Sequence, residues 1–167
     1  MKIGGTDHLT LTVTDLQRTA DWYRSVLRFE EVIRYRNESI GAECAVLAHP
    51  GAARPRIGLR QYDAPSDATF DEHRIGLDHL AFDVGDEATM HAWQDHFRDL
   101  GVPFTVTRIP ELSITALRDP DNIQLELCAW NPSPTESAID ESGRIKLLAE
   151  TAKATHSGSS GAASTVN

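Results

Sequence analysis

Apolar and polar residues alternate in the segment HLTLTV (8–13). This period of two predicts a strand with one apolar and one polar face, and it puts His8 on the polar face. In the next segment, LQRTADWYRSVLRF (16–29), the apolar residues recur at helical spacing, and Asp15 directly before it is a favourable N-cap. The pattern therefore predicts a strand that leads into a helix.

Three further strands are predicted after this helix, at 30–36, 42–48 and 55–62. The Gly- and Pro-rich segment HPGAARP separates the last two and is typical of a turn. Residues 1–62 are therefore predicted to form a first module of βαβββ order.

The second half of the chain repeats this organisation. The segment GTDHLTLTVTD (5–15) is matched seventy-one residues later by GLDHLAFDVGD (76–86). A helix over 86–100 and three more strands follow, and Asn122 in the turn before the last strand suits a left-handed backbone. We interpret this as an internal duplication with a second βαβββ module at 76–130. The expected fold class is α+β, with two tandem modules forming a curved mixed sheet around a cavity.

Two segments lie outside the modules. Residues 63–75 are polar and interrupted by proline, which predicts a linker. Residues 131–167 are predicted to be a C-terminal extension, with a short helix at 143–154 and a tail without apolar residues to bury. We expect that tail to be disordered.

Composition narrows the possible functions. With 40% apolar and 25% charged residues among 167, the chain is an ordinary globular protein. It contains no apolar run long enough for a membrane span or a signal peptide, so a cytoplasmic location is expected. Cys44 and Cys128 lie within apolar strands, which favours buried thiols over a disulfide. The net charge of −9 disfavours nucleic acid as a partner and favours a small molecule.

The duplication suggests a metal site. His8 and His79 occupy the same polar-face position in the two modules, and Glu126 on the last strand also points away from the apolar side. An isolated histidine on a strand is more often hydrogen bonded or exposed than a ligand. Here two imidazoles in register and one carboxylate form a common ligand set for a divalent transition metal that leaves positions open for water or substrate. We therefore predict a metal site at these three residues.

The repeated DHLTLTV and DHLAFDV segments and the closing RDPDNIQLEL resemble the vicinal oxygen chelate superfamily over residues 5–130. This superfamily includes glyoxalase I, fosfomycin thiol transferases, extradiol dioxygenases and bleomycin-resistance proteins. The resemblance implies a glyoxalase-like fold, the metal ligands His8, His79 and Glu126, and Fe, Mn, Zn or Ni as the metal. It also implies a homodimer, because related proteins cover their sheet edges by pairing chains.

The chain departs from the patterns of individual families. Gly58 stands where glyoxalase I has a fourth protein ligand, and Gln61 could replace that ligand only through a shift of register. The dioxygenase pattern has a tyrosine where this chain has Ala116. The segment RIPELS replaces the loop that binds potassium and phosphonate in the thiol transferases.

Substrate contacts are predicted from strand parity. Arg34 and Arg60 can face the cavity and hold an anionic substrate, although solvated edge charges have the same pattern. Gln61 can orient water. Trp22 and Trp93 occupy equivalent helical positions, which indicates core packing.

Three functional hypotheses follow. The first is a metal-dependent enzyme that binds a substrate through two neighbouring oxygens, with Glu126, a metal-bound hydroxide or water held by Gln61 as the base. The second is an Fe(II) ring-cleaving dioxygenase of the extradiol type. The third is a drug-binding protein of the bleomycin-resistance type, which needs no metal.

Overall fold

The computed structural model describes residues 5–52, 54–64 and 68–130. The order of helices and strands in these ranges is β1 (His8–Thr12), α1 (Leu16–Leu27), β2 (Glu30–Asn37), β3 (Ala42–Ala48), β4 (Arg56–Tyr62), β5 (His79–Gly85), α2 (Glu87–Asp99), β6 (Phe104–Ile109), β7 (Leu112–Arg118) and β8 (Gln124–Trp130). The predicted α+β class and the two successive βαβββ modules are confirmed. The predicted short helix at 143–154 and the tail lie outside the described residues.

Each module forms its own four-stranded sheet. The first sheet has the order β1-β4-β3-β2 and the second has the order β5-β8-β7-β6. In each sheet the first strand of the module runs parallel to the last, and the other neighbours are antiparallel. Within the described residues, no strand of one sheet pairs with a strand of the other, so one chain contains two separate mixed sheets. In the described part of the chain, the outer edges of β1 and β5 therefore both lack a neighbouring strand.

The residues predicted to cap helices and to form turns have these roles in the structure. The Asp15 carboxylate accepts a hydrogen bond from the backbone N–H of Arg18 at 2.9 Å, and Asp86 accepts one from Thr89 at 2.8 Å. Each bond satisfies an N–H in the first helical turn that has no partner within the helix. Gly101 and Asn122 have φ angles of 67° and 70°, in the left-handed region.

The apolar faces of the two sheets and the helices on them form one core that both modules share. The Phe29 and Phe82 rings, one from each module, lie 5.7 Å apart between centroids. Trp22 and Trp93 are partly buried against this core, as their equivalent positions indicate. No helix in the described part of the chain is long and apolar enough to cross a membrane.

The turn between β7 and β8 joins the modules through two buried aspartates. Asp121 accepts hydrogen bonds from the Thr14 backbone N–H at 3.1 Å and from the Thr19 hydroxyl at 3.0 Å, both in the first module. Asp119 accepts hydrogen bonds from two backbone N–H groups of its own turn and from the Tyr23 hydroxyl. Burial dominates its electrostatics and raises the pKa of Asp119 to about 6. These contacts fix the start of β8, which carries Glu126.

Candidate metal and substrate site

His79 and Glu126 meet on the outward face of the second sheet. Their strands β5 and β8 are parallel neighbours, with His79 beside Gln124 and Ala81 beside Glu126. The His79 Nε2 and Glu126 Oε2 atoms lie 3.6 Å apart. The Gln124 side-chain amide donates to Glu126 Oε1 at 2.9 Å, which orients the carboxylate and leaves Oε2 towards the histidine.

Both histidines are held by the aspartate that precedes them. Nδ1 of His79 lies 2.6 Å from the Asp78 carboxylate, and Nδ1 of His8 lies 3.1 Å from that of Asp7. The hydrogen bond with His8, together with the nearby Arg54, lowers the pKa of Asp7 and so favours its charged, accepting form. A carboxylate on Nδ1 selects the tautomer whose Nε2 lone pair is free to bind a metal ion. The duplicated Asp-His dipeptide is the sequence signal for this arrangement.

The structure does not bring His8 to the other two predicted ligands within one chain. His8 lies on the outward face of the first sheet, whereas His79 and Glu126 lie on the second. In the described ranges, no group of three His, Cys, Asp or Glu side chains is placed to hold a metal ion. One chain therefore presents a two-residue half-site on one sheet and a single histidine on the other.

Two uncharged side chains, those of Ala116 and Cys128, flank Glu126 on the outward face of the second sheet. Ala116 is its cross-strand neighbour on β7, so a methyl group stands beside the carboxylate. Cys128, two residues along the same strand, is half-buried, and burial followed by the charge of Glu126 raises the pKa of its thiol. The Cys128 side chain therefore stays a neutral thiol beside the half-site.

A cavity of about 680 Å³ covers the outward face of the first sheet. His8 lies at one end of its lining, and Arg60 lies four residues further along the neighbouring strand, beside Thr12. The side chains between these ends are small or apolar, and they include Thr10, Ile33, Tyr35, Cys44 and Val46. No motif in the sequence marks Ile33, Tyr35 or Val46 as site residues. The alternation of their strands indicates the face, but it does not indicate which face is open.

The other sequence-predicted substrate residues lie on the opposite face of the first sheet. The Gln61 side-chain oxygen accepts a hydrogen bond from the Leu16 backbone N–H at 2.7 Å. Gln61 therefore satisfies an N–H group in the first turn of α1. Arg34 is in register with the buried Ala45 and donates to Glu31 through two nitrogens, at 2.8 and 2.6 Å. Neither residue faces the cavity with Arg60, because both have the opposite strand parity.

Comparison with known proteins places this geometry in a family. The family model for the Glyoxalase/Bleomycin resistance protein/Dioxygenase superfamily matches residues 5–127. A glyoxylase/bleomycin resistance protein/dioxygenase domain from Frankia sp. EAN1pec is 34% identical, with a TM-score of 0.71, over 79% of this chain and 96% of that one. No match was found among curated proteins.

More distant solved structures share the fold. The fosfomycin resistance protein FosX from Listeria monocytogenes is 22% identical, with a TM-score of 0.58, over 78% of this chain and 94% of its own. FosX from Mesorhizobium loti is 20% identical, with a TM-score of 0.53, over 75% and 91%. At these identities the likeness concerns the fold alone.

Proposed function

Because this chain belongs to the Glyoxalase/Bleomycin resistance protein/Dioxygenase superfamily, we propose that it is a divalent-metal-dependent enzyme acting on a small molecule. His8, His79 and Glu126 would hold the metal. The observation that carries this proposal is the His79–Glu126 pair at 3.6 Å, with both histidines fixed at Nδ1 by the preceding aspartate. Two imidazole nitrogens and one carboxylate oxygen suit Fe, Mn, Zn or Ni. A FosX structure holds Mn(II), which supports a divalent ion on this fold.

The third ligand would come from a second copy of the chain. The edges of β1 and β5 both lack a neighbouring strand in the described residues. Pairing β1 of one copy with β5 of another would join the two four-stranded sheets and place His8 beside His79 of the partner. A two-fold axis would repeat this contact and create two sites per homodimer. Unpaired sheet edges are a liability that such pairing removes.

A divalent ion bound there would act as a Lewis acid towards two neighbouring oxygens of the substrate and stabilise the negative charge that develops on them. The protein's contribution is orientation and proton transfer. Gln124 holds Glu126 Oε1, so Oε2 is the oxygen that would bind the metal, and Oε2 would accept a proton from the substrate only after it has left the metal.

The structure supports the two alternative functions to different degrees. A ring-cleaving dioxygenase loses support because Ala116, the neighbour of Glu126, has no hydroxyl where that pattern has a tyrosine. A drug-binding protein that needs no metal is favoured by one observation, the largely apolar cavity on the first sheet. We retain it as the second candidate.

Metal analysis tests the proposal. Protein purified without chelator should contain a divalent transition metal, and His8→Ala, His79→Ala and Glu126→Ala should each lose it. His91→Ala is the matched control, because His91 is an exposed histidine on α2. Sedimentation should give about twice the chain mass of 18.4 kDa. Full metal occupancy in any one of the three variants, or a monomer that binds metal fully, would contradict the proposal.

A further inference from the structure

Two arginines line the cavity on the first sheet, and Arg60 lies at the end of the lining away from Arg56 and the Asp7 carboxylate. Within the described residues, the Arg60 guanidinium forms no ion pair. Its Nε is buried without a hydrogen-bond partner, and the polar side chains near the guanidinium are the uncharged Cys44 thiol and the Tyr62 hydroxyl, which lies 3.5 Å from Nη1, the limit of a hydrogen bond. Arg34 and Arg36 of the same sheet are instead paired with carboxylates. A guanidinium left this way in a chain of net charge −9 is available to bind an oxyanion.

The wall of the same cavity is apolar and exposed. Ile33 and Tyr35 on β2 are 55% and 43% exposed, and Val32 is 51% exposed. Ile33 is in register with Val46, which is in register with Gly58, so one row across the sheet has no polar side chain before Thr10. A contiguous apolar surface of this kind marks a place where an apolar ligand or partner lies.

The strand register gives the length of a ligand that would contact both the metal at His8 and the guanidinium of Arg60. His8 pairs with Arg56 and Thr12 with Arg60, so the histidine and Arg60 are four strand residues apart, roughly 13 Å at about 3.3 Å per residue. Arg60 Nη1 contacts Tyr62, on the side away from His8. A carboxylate held about 3 Å from the guanidinium, on the side facing His8, would lie on the order of 10 Å from a metal at His8.

We infer that the substrate is an elongated amphipathic carboxylate: two neighbouring oxygens at the metal end, an apolar body over Val46 and Ile33, and a carboxylate on Arg60. This rests on the proposed function. A single guanidinium matches the two oxygens of a carboxylate in a planar, bidentate pair. An acid of three or four carbons is too short to reach both ends.

Hydroxamates provide probes of matched length and charge. We would measure by calorimetry the binding of octanohydroxamate, suberic monohydroxamate, butyrohydroxamate and succinic monohydroxamate to the Mn(II)-loaded protein. The distal carboxylate should tighten the eight-carbon compound by about tenfold or more, since a hydrogen bond to a charged group contributes about 1.5–3 kcal/mol. In the four-carbon pair, the carboxylate should give no gain.

Variants locate the anion site. Arg60→Gln should abolish the gain from the distal carboxylate, whereas Arg34→Gln, the matched control on the opposite face, should preserve it. If Arg56→Gln removes the gain and Arg60→Gln does not, the inference is wrong. It is also wrong if the carboxylate gives the wild-type protein no gain at eight carbons, a result that does not depend on any variant folding. Tighter binding of octylphosphonate than of octanoate would overturn the carboxylate assignment.

A metal-free arm separates this inference from the proposed function. Octanoate should perturb the amide NMR signals of β3 and β4 in chelator-treated protein at lower concentration than octanamide does, and Arg60→Gln should remove the difference. If octanoate shows this Arg60-dependent effect but hydroxamates bind equally with and without metal, the anion site at Arg60 is supported and the proposed metal-dependent function is contradicted. If hydroxamates bind only to the metal-loaded protein but their distal carboxylate does not change their affinity, the metal site is supported and the inference about Arg60 is wrong.

Discussion

Gly58 and Thr10 lie opposite each other across the parallel β1–β4 pair, so close that a Cβ on Gly58 would lie 2.6 Å from Thr10 Oγ1. That Cβ would also lie 3.2 Å from Thr10 Cβ and 3.3 Å from Cγ2. Glycine at this position therefore makes room for the threonine side chain. The sequence position symmetric to Glu126 lacks a side chain because its neighbour uses the space.

Gly58→Ala should destabilise the protein by about 1–3 kcal/mol, since it overpacks this contact. Thr10→Ala removes Oγ1 and Cγ2, and because Thr10 is exposed it should cost about 0.5 kcal/mol or less. The double variant should recover most of the loss. Urea denaturation of the four proteins gives the coupling energy, and simple additivity would show that the clash is absorbed elsewhere.

A glutamate at position 58 is expected to act as a fourth metal ligand only when Thr10 is truncated. Thr10→Ala/Gly58→Glu should bind metal more tightly than Thr10→Ala and should bind hydroxamates more weakly, because the added carboxylate fills an open position. Gly58→Glu alone should chiefly lose stability. Competition with a fluorescent chelator measures the metal affinity. A single Gly58→Glu variant that tightens metal without destabilisation would refute this steric account.

The proposed sharing of ligands between chains predicts complementation. In a heterodimer of a His8→Ala chain and a Glu126→Ala chain, one site combines the intact half-site of the first with His8 of the second. Chains carrying different affinity tags allow this heterodimer to be isolated, and it should hold about one metal ion, whereas each parent homodimer holds none.

The matched control for complementation is the His79→Ala and Glu126→Ala mixture. Both changes damage the same half-site, so neither site of that heterodimer is intact. Metal in this control, or none in the first mixture, would show that the ligands are not divided between chains as proposed.

Asp7 and Asp78 should control metal affinity without binding the metal. Asp7→Asn and Asp78→Asn remove the charged acceptor at Nδ1 of His8 and His79, and we expect each to weaken metal binding by about 10–100-fold. Asp95→Asn, on the exposed surface of α2, makes the same change in net charge and should have no such effect. Equal losses in all three would indicate a long-range charge effect.

Asp119 should make the protein more stable as the pH falls from 7 to 5. Burial raises its pKa in the folded protein to about 6 from 3.8, so the folded state binds the proton more tightly than the unfolded state. Its ionised form is thus a cost at pH 7 that protonation relieves, by on the order of 1 kcal/mol at pH 5. Below about pH 4, this gain stops growing.

Asp119→Asn isolates the contribution of Asp119. Asparagine keeps the acceptor for the backbone N–H groups of Asp121 and Ile123 but cannot titrate. The difference in unfolding free energy between variant and wild type should therefore change with pH between 7 and 5. A constant difference across that range would show that Asp119 does not titrate there.

The sequence by itself determined the elements and their faces. Strand periodicity is two, so the alternation in 8–13 and its repeat assign His8 and His79 to the outward face, and the same parity assigns Glu126. The helix N-caps Asp15 and Asp86 and the left-handed Asn122 were predictable, because each depends on neighbours only a few residues away.

Only the tertiary structure decided which of these elements meet. Whether β1 pairs with β5 in one chain depends on packing between the two modules, which periodicity does not encode. Among the residues that the structure describes, no strand pairs with the outer edge of β1 or of β5. Parity separates Arg60 from Gln61 on β4, but it does not tell which face of the sheet lines the cavity, or that Arg34 on another strand shares the face of Gln61. That choice follows from which face of the first sheet α1 covers, a contact between residues distant in sequence.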